Sequence, residues 1–198
     1  MIKPKDYDNV QGYGEYEALE LGGHVMKIVN VEETVSSTGK PMVKIYLDTD
    51  KSDKQPQYFK ARYDSDTRAN KKWPCIVCQL VYDDTGATNR GLKAFHECVE
   101  KSNESKFRLL WGDKYCDCFK GKLIGGVFGR EEFIASDGSA KWATKCFFFR
   151  SVGVILKGVP VPEDKPLSGN KPVARQNVVV QAQPGELPIP GDDDDYPF

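Results

Sequence analysis

Several things are scarce in this 198-residue sequence, and each scarcity closes off a class of protein. No apolar run approaches the roughly 18–20 residues that span a bilayer. The opening Met1-Ile2-Lys3-Pro4-Lys5-Asp6 has no apolar stretch of the secretory-leader kind, so a cytoplasmic protein without membrane contact is expected. Cysteine is sparse: six residues fall well below the density of a disulfide scaffold and fit a reducing compartment. Of the two histidines, His24 has no acid or nucleophile at a readable spacing, and His96 reads as a core-edge residue of a helix. The adjacent acids Glu32-Glu33, Asp83-Asp84 and Glu131-Glu132 point apart on strands, which argues against a two-metal centre. Gly125, Gly126 and Gly129 follow a lysine but lack the Gly-Lys-Ser/Thr of a phosphate loop. A non-enzymatic protein with no cofactor is the expectation.

Net charge is also nearly absent, at -1, but it is unevenly spread. Residues 161–198 hold seven acids and three bases, a net of -4, so residues 1–160 carry +3. A mildly basic body joined to an acidic end suggests nucleic acid as partner for one part and a recruiting role for the other. With 39% hydrophobic and 11% aromatic residues, the body can bury the core of one domain.

Alternation and turn formers divide that body. Residues 1–20 are polar and form an N-terminal arm. An apolar β-rich run from His24 to Val35 meets the turn cluster Ser36 to Pro41 and resumes as Met42 to Asp48, a hairpin in which Val43, Ile45 and Leu47 share one face. Tyr58 to Tyr63 alternates again and predicts a third strand. The loop after it carries Lys71-Lys72-Trp73-Pro74, and Cys75-Ile76-Val77-Cys78 is itself strand-like. One amphipathic helix is predicted from Asn89 to Lys101, with Leu92, Phe95, His96 and Val99 on its apolar stripe and Asn89 as N-cap. Gly121–Arg130 and Lys141–Val152 form a second hairpin, with glycines that imply a bulge or close approach of another segment. In Phe147-Phe148-Phe149 at least one ring must face away from the others. From 158 to 191 the chain is a Pro-rich linker; residues 158–198 hold eight of the 12 prolines.

The sharpest motif is Asp192-Asp193-Asp194-Asp195-Tyr196-Pro197-Phe198. Four carboxylates precede an aromatic, a proline and a phenylalanine that carries both an apolar ring and the α-carboxylate. Such a peptide suits a small apolar pocket rimmed by Lys or Arg, with the acids steering approach. On this motif and the domain order, the sequence resembles the bacterial single-stranded DNA-binding protein family, and its body resembles the divergent members carried by phages and mobile elements of Gram-positive bacteria. The resemblance implies a mainly β fold, a five-stranded OB-fold barrel with one helix between strands three and four. It further implies that domain 21–157 binds single-stranded DNA, while tip 192–198 recruits replication, recombination and repair enzymes.

Chemistry alone nominates the DNA-contact residues. Single strands need bases for phosphate and aromatic faces for stacking. The body supplies them as Lys44 with Tyr46, Tyr58 with Lys60 and Arg62, Lys72 with Trp73, Phe128 with Arg130, and Trp142 with Phe148 and Arg150. Two alternatives belong to other classes: an RNA-binding OB module, and a zinc-stabilised adaptor with a DNA-mimic tail whose metal would sit on Cys75, Cys78, Cys116 and Cys118. A homo-oligomer is compatible with the sequence.

Overall fold

A computed structural model describes residues 2–5, 7 and 17–167. Five antiparallel strands form one sheet in the order β3-β2-β1-β4-β5. They are β1 (Gly22–Val35), β2 (Pro41–Thr49), β3 (Ile76–Leu80), β4 (Leu123–Ile134) and β5 (Ala140–Arg150). Helix α1 (Tyr58–Ser65) lies between β2 and β3, α2 (Arg90–Asn103) between β3 and β4, and the short α3 (Val152–Leu156) after β5. The fold is therefore mainly β, with three α-helices among the described residues where the sequence predicts one.

Local sequence accounts for the sheet. Val43, Ile45 and Leu47 of β2 are buried on its inner side. The inward set of β1 runs Met26, Ile28 and then Val31, a change of parity made by a register shift between Ile28 and Asn30. Helix α2 closes the core from the inner side through Leu92, Phe95, His96 and Val99, the predicted stripe. Its cap is the predicted one, since Asn89 Oδ1 accepts from the Gly91 amide at 2.8 Å. A smaller apolar cluster of Val25, Val127 and Ile155 forms on the other side of the sheet, beneath α3.

The expected strand at Tyr58–Tyr63 is a helix. The end of β2 supplies the reason: Asp48 Oδ1 accepts from the Phe59 and Lys60 amides at 3.0 and 3.1 Å, and Thr49 Oγ1 accepts from Tyr58 N at 2.8 Å. These acceptors satisfy the first free amides of a helix. The third strand is instead Ile76–Leu80, which pairs with β2 from Met42↔Leu80 to Tyr46↔Ile76.

Both ends of the body extend past the predicted boundaries. Residues 17–20, assigned to the arm, are tied in: Leu19 is buried, its amide donates to the Tyr58 hydroxyl, and Glu20 O bonds to His24 Nε2 at 2.9 Å. Residues 158–167, assigned to the linker, continue along the sheet. Lys165 N donates to Arg130 O and Glu132 N to Lys165 O, both at 2.8 Å, on the edge of β4 that β1 leaves open. The remaining linker and the 192–198 tip lie outside the described residues.

Candidate nucleic-acid interface

The predicted contact residues divide by strand parity. On β4 and β5, a Cβ added to Gly129 would meet the Phe147 ring at 2.5 Å, so Phe147 covers that glycine on the outer face. Val127 pairs with Phe148 and Phe128 with Cys146, leaving Phe147 as the extra residue of a bulge. The bulge keeps Phe147 and Phe148 together, their rings edge to face at 6.2 Å, while Phe149 turns into the core at 7% exposure. That resolves the triplet.

Each outward ring has a cation. The Lys165 ammonium lies 4.0 Å from the centre of the Phe147 ring, and the Arg150 guanidinium 5.6 Å from that of Phe148. Phe148 remains 47% exposed. Phe147 and Lys165 were not among the predicted residues. The Phe triplet signalled the first, and only the pairing of 164–167 with β4 brings in the second.

Phe147, Phe148 and Arg150 form one wall of a cleft between β5 and β3. Val77 and Gln79 of β3 face them, and Gly91 and Ala94 of α2 line the floor. Among the described residues no ladder joins β3 to β5. Lys44 and Tyr46 sit one strand further on, on β2, opposite Cys78 and Ile76 of β3. Tyr46 donates to Glu32 at 2.8 Å; burial, with this bond to a carboxylate, raises its hydroxyl to a pKa of about 12, so it stays a neutral donor.

Trp142 and Arg130 occupy the opposite face, with the guanidinium 5.4 Å from the indole centre. Arg130 is also held by Asp164, Nε to Oδ1 at 3.1 Å with a second contact through Nη2, and this bond raises the arginine pKa.

The other predicted residues serve the body. Phe128 is 1% exposed and packs on His24 and Phe59, because its parity on β4 turns it inward. Trp73 packs against the core and donates Nε1–H to Leu47 O at 2.7 Å. Tyr58 receives the arm, Arg62 lies over the Tyr58 ring, and Lys60 pairs with Asp64 one helical turn away. Lys72 is exposed in the loop before Trp73.

Cys75, Cys78, Cys116 and Cys118 do not come together as one site. Cys75 is buried and its thiol pushed well up, chiefly by loss of solvation; Cys146 rises to about 12 for the same reason. Among the described residues no three of His, Cys, Asp and Glu group as metal ligands. Nor is any described helix long and apolar enough to cross a membrane. The chain matches no family model and no curated protein.

Proposed function

We propose that this chain is a sequence-tolerant single-stranded DNA-binding protein on an OB-type barrel, which coats DNA and recruits replication, recombination and repair enzymes through its 192–198 tip. The strand order supports the barrel, since an OB barrel opened between its third and fifth strands has this order with a helix before the fourth. One observation carries the binding function: exposed Phe148 and half-buried Phe147, each beside a cation, on the wall of the cleft between β3 and β5. Rings offer stacking to any base and cations offer charge to any phosphate, so the pairing recognises a single strand without reading its sequence.

The body's modest charge makes stacking the larger contributor, and binding weakens with salt as counterions are released. Titration with oligothymidylate at low salt, followed by intrinsic Trp fluorescence, tests the reading. A Phe148→Ala variant should bind about 5- to 100-fold more weakly. A folded wild-type protein that binds no oligonucleotide at low salt overturns it. Removal of Phe198 should leave DNA affinity intact and abolish capture of repair enzymes; equal loss of both sinks the division of labour.

A further inference from the structure

Between α2 and β4 the chain forms three single 3-10 turns, Glu104–Lys106, Gly112–Lys114 and Asp117–Phe119. The segment 104–122 carries five cations (Lys106, Arg108, Lys114, Lys120, Lys122) against Glu104, Asp113 and Asp117. In its middle stands Trp111, 70% exposed, the most exposed indole of the described residues. The side chain is nonetheless well placed. Its ring lies nearly parallel to Tyr115, with planes at 13° and centres 5.5 Å apart. Tyr115 is 5% exposed, and its hydroxyl is hydrogen-bonded to His96 Nε2 at 2.8 Å. His96 also meets the indole edge to face at 5.7 Å.

One face of the indole is therefore fixed against a buried, anchored ring while most of the side chain faces solvent. A ring ordered in advance loses little conformational entropy when a second flat group stacks on it. Arg108 and Lys114, three positions to either side, are exposed and form no ion pair among the described residues.

We propose that Trp111 is a second stacking platform for single-stranded nucleic acid, taking one base on its open face with Arg108 and Lys114 on the adjoining phosphates. This inference rests on the single-strand-binding function proposed above and extends the path beyond the cleft. Ala94 lines the cleft and His96 supports the platform, and two residues on a helix are about 200° apart around its axis. Cleft and platform are thus on nearly opposite sides of α2, separated by about 10–12 Å of helix thickness.

The separation gives the test. Wild type, Trp111→Ala, Trp111→Tyr and Phe148→Ala are titrated with oligothymidylates of about 6 and about 20 nucleotides, the first near the short end of the roughly 4–16 nucleotides an OB domain covers and the second beyond its long end. Trp111→Ala should bind the short oligomer like wild type and the long one about 5- to 100-fold more weakly, with Trp111→Tyr restoring most of the loss. Phe148→Ala should lose affinity for both. If Trp111→Ala matches wild type at both lengths while Phe148→Ala is weakened, the platform is refuted and the cleft stands. If wild type binds neither oligomer, the underlying function fails, and this proposal with it. Unchanged DNA binding with a lower native mass in Trp111→Ala would make the indole a contact between copies, which also refutes the proposal.

Discussion

Arg130 and Asp164 form a two-pronged ion pair across 34 residues of sequence, and the carboxylate is nearly buried while the guanidinium is one-third exposed. The pair fixes residues 164–167 to β4 and occupies an arginine that otherwise faces Trp142. Asp164→Asn should therefore have two opposed effects. Stability should fall by about 1–2 kcal/mol in urea denaturation, a range set by partial exposure. The released guanidinium becomes available to one more phosphate, so the dependence of log affinity on log salt should steepen by about 0.7. An unchanged slope would place Arg130 outside the DNA path.

His96 makes stability depend on pH. Burial, aided by the charge of Lys93, lowers its pKa from 6.5 to about 4. Between these values the unfolded chain holds the proton and the folded protein does not, so stability is complete above pH 6.5 and declines as pH falls toward 4. The full loss is on the order of 3 kcal/mol. Denaturation midpoints measured across that interval check the sign, and His96→Gln should flatten the slope.

Gly125 is one of the points where α3 touches the sheet. A Cβ there would lie 2.3 Å from Ile155 Cγ1 and 2.8 Å from the Arg150 carbonyl oxygen. The side chain can shift but the backbone oxygen cannot, so Gly125→Ala should destabilise by roughly 1–3 kcal/mol. A differential scanning calorimetry midpoint within one degree of wild type would show that α3 is not seated there. Gly39, which has no neighbour within 4 Å but a φ of 77°, is the control for backbone strain alone.

Asn89 joins β3 to the start of α2, because its Oδ1 accepts from Gly91 N and from Gln79 Nε2. Asn89→Ala should cost about 1 kcal/mol through the lost cap. Asn89→Asp should retain the capping acceptor and recover most of that loss, as chemical denaturation would measure.

The residues that could be read from sequence are those whose partners are near in sequence or repeat with a period. The stripe of α2 and its Asn89 cap needed only spacing four residues apart, and the inner face of β2 only alternation. Tyr58–Tyr63 misled because its alternation is of aromatics and bases, with Phe59 alone buried, and because its helix is started by Asp48 and Thr49 from another element. The same limit applies to the proposed interface. Phe148 and Arg150 carried a local signal, whereas Lys165 reaches Phe147 only through pairing with β4, and Phe128 faces inward by a parity that depends on its neighbours. Trp111 had cations around it in sequence, but its support by Tyr115 and His96 belongs to the fold.

The bulge at Phe147 makes residue number, as well as residue identity, part of the surface. Cys146 and Phe148 already face the adjacent Phe128 and Val127, so loss of the Phe147 codon would restore strict alternation with both ends of the strand in their present register, at the expense of one outward ring. Loss of a residue nearer Trp142 would instead be absorbed at the bulge and turn over every side chain between the two points. In a diverging lineage a one-residue deletion in this strand should therefore be tolerated at Phe147 and resisted elsewhere.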